Sequence, residues 1–234
     1  MVTDISGAVV LVTGANGGLG IEFVKQALQR GASKVYATAR TPRDWGDERI
    51  VPLALDVTDE ASVAAAAAVA SDTTVVINNA GVSGPSPIAG DSAALRWMFE
   101  TNFFGAVTVA REFAPVLGRN GGGVLLDVHS ALSWIALAGG YSAAKAALWS
   151  ATNSLRLELA PQGTHVVGLH LGYADTPMTA DVTDPKSDPA DIVARAYDGV
   201  EAGDFEVLAD ETSVQVKAGL SAPISALYPQ LASA

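Results

Sequence analysis

The run Thr13-Gly14-Ala15-Asn16-Gly17-Gly18-Leu19-Gly20 follows the apolar stretch Ala8 to Thr13 and leads into a helical pattern. Glycines here allow a tight turn, close approach of the backbone to a pyrophosphate, and close contact between helix and strand. The helix that opens there adds oriented N–H donors. A glycine-rich turn between a strand and a helix is the context a dinucleotide site requires. The spacing Gly14-x3-Gly18-x-Gly20 is a variant of the usual fingerprint, and Gly14, Asn16, Gly17, Gly18, Leu19 and Gly20 are assigned to cofactor binding.

Beyond this turn, β-rich runs alternate with helical stretches. Strands are predicted near Ala8 to Thr13, Lys34 to Ala39, Val51 to Leu55, Thr74 to Asn78, Gly123 to His129, Thr164 to Leu171 and Glu206 to Leu208. Such alternation predicts an α/β fold, a doubly wound parallel sheet with helices on both faces and ligands at the carboxyl ends of the strands. Long helices are predicted over 91–118, including Asn102, and over 143–160, carrying Tyr141 and Lys145 near its start. The Pro-containing stretch 173–189 is expected to be a substrate loop over the strand ends. No linker divides the chain, so 1–234 is expected to be one catalytic domain.

Composition bounds the partners. Hydrophobic residues make up 49% and charged residues 17% of the 234 residues, which fits a compact core. A net charge of -11 argues against a nucleic-acid partner, because phosphates demand a basic surface. The absence of cysteine excludes disulfides, thiolate catalysis and cysteine-ligated metals. The stretch Met1-Val2-Thr3-Asp4-Ile5-Ser6-Gly7 lacks the features of a secretory leader, so the cytoplasm is the expected compartment. No stretch has the length of a membrane span, the alanine run Ala64 to Ala68 included.

At the end of the second strand, where an acidic residue usually binds the ribose hydroxyls of NAD, stands Thr38-Ala39-Arg40. A guanidinium grips a 2′-phosphate in bidentate fashion, so NADP(H) is expected in preference to NAD(H), with Thr38 and Arg43 as weaker helpers. Asp56-Val57 would reach the adenine, with helix capping as the rival use of Asp56. Asn79, Ala80 and Gly81, after Asn78, are small enough for a ring or ribose to lie against the backbone.

Tyr141 and Lys145 sit four residues apart, on one face of a helix. A phenol ionises near pH ~10, and a neighbouring cation would move that value toward neutrality. Taken with Thr13-Gly14-x3-Gly18-x-Gly20, Asp56-Val57, Asn78-Asn79-Ala80-Gly81, Asn102, Ser130 and Thr176, the chain resembles the short-chain dehydrogenase/reductase family of the single-domain type. That resemblance implies a seven-stranded sheet and a catalytic group of Asn102, Ser130, Tyr141 and Lys145. Tyr141 would exchange a proton with the substrate oxygen, Lys145 would lower the phenol pKa and hold the nicotinamide ribose, and Ser130 would bond the substrate oxygen. Asn102 would hold a water linking the lysine to solvent.

The interval from Ser130 to Tyr141 is shorter than the family's, which leaves Ser133 as an alternative serine. After the sixth strand, Leu171-Gly172 stands where the family has Pro-Gly. Gly172 and Thr176 still match and are assigned to the cofactor. Trp134, Tyr173 and Met178 are assigned to the substrate pocket, whereas Trp97 and Trp149 are expected in the core or an interface. His129, His165 and His170 form no ligand cluster, and no metal is expected. The resulting expectation is a reversible NADP(H)-dependent reductase of small, neutral ketones or aldehydes. An NADP-binding sensor without turnover is the alternative. The alanine-rich face of Ala143, Ala144, Ala146, Ala147 and Ala151 suits close helix approach, and a homodimer or homotetramer is expected.

Overall fold

The computed structural model describes residues 4–233, so Met1–Thr3 of the N-terminal stretch and Ala234 lie outside it. The chain begins with β1 (Val9–Val12), α1 (Leu19–Gln29), β2 (Lys34–Ala39), β3 (Ile50–Ala54), α2 (Glu60–Val69) and β4 (Val75–Asn78). There follow α3 (Ser92–Phe99), a π-helical segment (Glu100–Gly105), α4 (Ala106–Arg119), β5 (Val124–Val128) and α5 (Gly140–Leu159). The remainder holds β6 (His165–His170), α6 (Pro189–Ala202), β7 (Glu206–Leu208), α7 (Glu211–Gly219) and α8 (Ile224–Leu227). Among the described residues the strands form one parallel sheet in the order β3-β2-β1-β4-β5-β6-β7. The order reverses between β1 and β4, and the turns leaving those two strands open a crevice at the carboxyl edge.

Alternate residues of each strand enter opposite layers. Val10, Val12, Val35 and Ile77 pack with Phe23 of α1 and Tyr197 of α6, whose rings meet edge to face at 5.6 Å. Leu11, Tyr36, Val76 and Leu125 pack with Val63 of α2, Val109 and Phe113 of α4, and Leu159 of α5. Coverage on both faces explains why the central strands are nearly unbroken apolar runs, with β4 buried at every position. Pro52 is exposed in β3, the edge strand, where the missing N–H does no harm.

Two helices differ from the expectations, each next to the crevice. The helix predicted over 91–118 is broken by the π-helical turn Glu100–Gly105, which contains Asn102. Gly105 lies so close to Val57 that an added Cβ would meet Val57 Cγ2 at 2.8 Å. The helix predicted from residue 143 begins at Gly140 instead, so Tyr141 lies within its first turn. Gly139, with φ 54°, makes the bend, and an added Cβ there would meet Ser86 O at 2.5 Å. The loop over 173–189 is drawn together by Ser187, whose N donates to Tyr173 O at 2.8 Å while its O accepts from Asp175 N at 3.0 Å.

Candidate active site

The glycine turn is tied to the end of β4 by a small network. Thr13 Oγ1 accepts hydrogen bonds from Asn79 N at 3.0 Å and Ala80 N at 2.9 Å, and Asn79 Nδ2 donates to Thr13 O at 2.8 Å. Gly14 and Gly18 take φ values of 65° and 51°, in the region glycine tolerates. Gly20 serves packing: an added Cβ would lie 2.3 Å from Gly14 O. Asn16 Nδ2 donates to Thr41 O at 2.8 Å, whereas Asn16 Oδ1 is buried without a hydrogen-bond partner among the described residues.

Arg40, the first residue after β2, is exposed at the rim of the crevice. Thr38 is elsewhere: it is fully buried, its hydroxyl donates to Val12 O at 3.0 Å, and it does not line the cavity. The expectation that it helps Arg40 is therefore corrected, since its hydroxyl is turned back onto β1. Asp56 accepts from Thr58 N at 3.0 Å and Thr58 Oγ1 at 2.7 Å, while Asp59 caps α2 through Ala61 N. The Thr58 hydrogen bonds, helped by the field of Arg40, hold the Asp56 carboxyl below the usual range. Capping is thus done by Asp59, and Asp56 stays on the cavity wall.

Farther along the same cavity stand Asn102, Ser130, Tyr141 and Lys145. Lys145 is buried, and its Nζ donates to Val128 O at 2.7 Å, 5.9 Å from the centroid of the Tyr141 ring. Burial lowers its pKa to about 8, against the opposing field of Asp127. Tyr141 moves the other way: burial raises it to about 12, partly offset by a hydrogen bond with Ser130. Desolvation of the phenolate is the largest effect on Tyr141, while the Lys145 ammonium that was expected to lower it stands 5.9 Å from the ring centroid and donates to Val128 O.

Ser130 Oγ accepts from Leu132 N at 3.1 Å and faces Tyr141, whereas Ser133 Oγ is turned back to Ser130 N at 3.3 Å and lies off the cavity wall. The short loop therefore brings Ser130, not Ser133, to the phenol. Asn102 grips Val82 from both sides, its Oδ1 accepting from Val82 N at 3.0 Å and its Nδ2 donating to Val82 O at 2.9 Å, and Nδ2 also donates to Met98 Sδ at 2.9 Å. Gly81 lies between Asn102 and Lys145, since a Cβ there would be 2.9 Å from Asn102 Oδ1 and 3.9 Å from Lys145 Nζ.

The cavity measures about 1090 Å³ and runs from the glycine turn past Asp56, Asn79 and Gly81 to Tyr141, Gly172, Tyr173, Thr176 and Met178. Trp134 is not on its wall. The indole stacks on His170 at 3.9 Å, meets Trp149 edge-on at 6.2 Å and lies under Lys217, so its assignment to the substrate pocket is corrected. Trp97, expected in the core or an interface, is 49% exposed and does line the cavity. Its place five residues before Asn102, within the same predicted helix, was the available signal. Leu132 and Glu100 on the wall were not foreseen. His129 and His170 stack at 4.8 Å behind Ser130, and burial holds both below the usual histidine value, His170 at about 3.

The cavity suits a dinucleotide. Its volume lies just above the ~300–1,000 Å³ typical of small-molecule sites. The left-handed glycines leave a backbone cradle, no atom crowds a Cβ at Gly17, and Asn16 Oδ1 has an unused acceptor position. Among the described residues no cluster of histidine, aspartate and glutamate could hold a metal ion, and no helix is long and apolar enough to cross a membrane.

Residues 8–187 match the family model for short chain dehydrogenase. The chain is 34% identical over 202 residues to a cis-4-hydroxycyclohexanecarboxylate dehydrogenase of Sinomonas cyclohexanicum, covering 80% of this chain and 78% of that one. A short chain dehydrogenase from Burkholderia cenocepacia J2315, solved in complex with NADP, superposes with a TM-score of 0.92 at 37% identity, over 98% of this chain and 99% of that one. A second, from Burkholderia phymatum in complex with NAD, gives a TM-score of 0.81 at 23% identity over 92% and 93%, a likeness of fold. The chain belongs to the short-chain dehydrogenase/reductase family of oxidoreductases.

Proposed function

We propose that the chain is an NADP(H)-dependent carbonyl reductase, working reversibly as an alcohol dehydrogenase, in one catalytic domain over 1–234. The observation that carries this reading is the single cavity whose wall joins the glycine turn and Arg40 to Ser130, Tyr141 and Lys145. Backbone donors of Gly14, Asn16, Gly17, Gly18 and Leu19 would hold the pyrophosphate. Arg40 would hold the 2′-phosphate, and Asp56 and Val57 the adenine. Asn79, Ala80 and Gly81 would lie against ribose, and Lys145, Gly172 and Thr176 would hold the nicotinamide end. When bound, the dinucleotide supplies or accepts a hydride.

Tyr141 is the proton donor in reduction and the acceptor in oxidation. Burial keeps it protonated up to about 12, so at neutral pH it is ready to donate. Ser130, beside it, orients and polarises the substrate oxygen. Lys145 contributes a fixed positive charge at the same end of the cavity while protonated, and Asn102 fixes the segment around Val82 that borders the lysine.

Substrate class follows from charge. The cations on the wall are Arg40 and Lys145, both engaged by the cofactor in this scheme, whereas Trp97, Leu132, Met178 and Val182 are apolar and Glu100 is acidic. A small neutral ketone or aldehyde fits these walls, with 173–189 as the substrate loop. We also read the chain as a homodimer or homotetramer, supported by Phe104 and Leu157, which are 50% and 79% exposed. The test is NADPH consumption with pairs of neutral and carboxylate-bearing ketones. Faster turnover of the neutral member is expected, and a strong preference for the charged one would contradict this substrate class. Tight cofactor binding without turnover of any carbonyl, unchanged in Tyr141→Phe, would favour the sensor.

A further inference from the structure

Asp127 is a fully buried carboxylate that this scheme leaves unused. It stands on β5, on the face toward α4 and α5. Its Oδ2 accepts from Thr152 Oγ1 on α5 at 2.6 Å, and its Oδ1 from Asn78 Nδ2 at 3.0 Å. The Asn78 amide also donates to Ala106 O, at the start of α4. Both hydrogen-bond partners of the carboxyl are neutral, so neither cancels a charge placed there. The next residue, Val128, supplies the carbonyl to which Lys145 Nζ donates at 2.7 Å. Lys145 and Thr152, both on α5, are two helical turns apart and share a face. One strand end thus offers the lysine its acceptor and, one residue earlier, a carboxyl beneath the same helix.

We infer that Asp127 is a positioning residue, a buried counter-charge that keeps Lys145 protonated and fastens its helix to β5 through Thr152. The relevance to catalysis rests on the role given to Lys145 above. Burial disfavours the charged lysine, and the field of Asp127 opposes that effect. In return, burial pushes the Asp127 carboxyl up, and the Thr152 and Asn78 hydrogen bonds, followed by the fields of Lys145 and Arg156, work against that rise. The other titratable groups around the pair are Tyr141 and Arg156 on α5, His129 just after β5 and His170 on β6. The two histidines are held neutral by burial, the phenol is neutral and the guanidinium is cationic, which leaves the Asp127 carboxyl as the group that can bring a negative charge to the lysine.

The test reads the lysine proton without turnover. The full chain contains five lysines, so a titration of their 13Cε signals by NMR is tractable, with Lys145→Met identifying the resonance. The wild-type midpoint is expected near 8. Asp127→Asn keeps the size and can still bond Thr152 and Asn78, and it should lower the midpoint by about one pH unit. Thr152→Val removes the fastening but keeps the charge, and should leave the midpoint close to wild type. An unchanged midpoint in Asp127→Asn, or an equal shift in Thr152→Val, overturns the inference. Should Asp127→Asn fail to fold, the wild-type carboxyl 13C signal decides: Asp127 must be ionised where Lys145 titrates, and a still-protonated carboxyl there refutes the pairing. Parallel kcat/KM profiles should carry the same shift in their alkaline limb. A shifted NMR midpoint with an unmoved activity profile would refute the catalytic role of Lys145 and leave the pairing standing.

Discussion

Replacing Arg40 with alanine should abolish the preference for a 2′-phosphorylated dinucleotide without disturbing the fold. Arg40 is exposed just past β2, so its removal leaves no cavity in the core. A hydrogen-bonded pair involving a charged group is worth ~1.5–3 kcal/mol, and exposure and salt reduce this to about 1.5–2 kcal/mol at the rim. At ~1.4 kcal/mol per decade, the NADPH Kd should rise roughly ten- to thirtyfold, while that for NADH changes less than about twofold. Fluorescence titration of both reduced dinucleotides against wild type and Arg40→Ala measures the two changes. Repeating it at higher salt should narrow the wild-type preference. Equal weakening of both dinucleotides, or a wild type that binds NADH as tightly as NADPH, would refute the reasoning.

The rate of carbonyl reduction should depend on pH through Lys145. Burial lowers its folded pKa to about 8, so the charged form is present below that value and is lost as pH rises through it. The kcat/KM profile should therefore be level near pH ~7 and fall above about 8, and Lys145→Arg should lack that fall. Gly20→Ala places a Cβ 2.3 Å from Gly14 O and 2.9 Å from Ala15 Cα, backbone atoms with little room to yield. Thermal melting should show a loss of roughly 1–3 kcal/mol, whereas Gly17→Ala, into open space, should be silent. Trp134→Ala should lower stability by roughly 2–4 kcal/mol and leave substrate KM unchanged, because the indole packs behind the site. Trp97→Ala should do the reverse, raising KM with little effect on melting.

The layout of the sheet was legible because a parallel sheet covered on both faces leaves apolar runs separated by helical patterns. Lys34–Ala39 and Glu206–Leu208 fall where they were expected, and the other strands agree to within a residue or so at each end. The glycine turn was legible because its conformation leaves few residues able to occupy it. Directions of side chains outside regular patterns were not. Trp134 follows Ser130 closely, but the 3-10 turn Ala131–Ser133 swings it toward His170. Thr38 stands two residues before Arg40, near the end of β2, and there too the direction was missed, since its hydroxyl is turned to Val12 O. The π-helical turn around Asn102 had no visible signature, since one additional residue in a helical ladder barely alters an apolar pattern. Proximity of Tyr141 and Lys145 was correctly read from their spacing, but their electrostatics depended on burial and on Val128 O, which spacing does not disclose.

The central claim is that Tyr141 passes a proton to a carbonyl oxygen as hydride arrives from a nicotinamide in the same cavity. It is tested most directly with NADPH deuterated at the transferring position of the nicotinamide, a neutral ketone, and mass analysis of the alcohol. The wild type should place one deuterium on the carbinol carbon, and Tyr141→Phe should form that product ~10²–10⁴-fold more slowly while binding NADPH unchanged. Alcohol without the label, or equal labelling rates in wild type and Tyr141→Phe, would contradict the account.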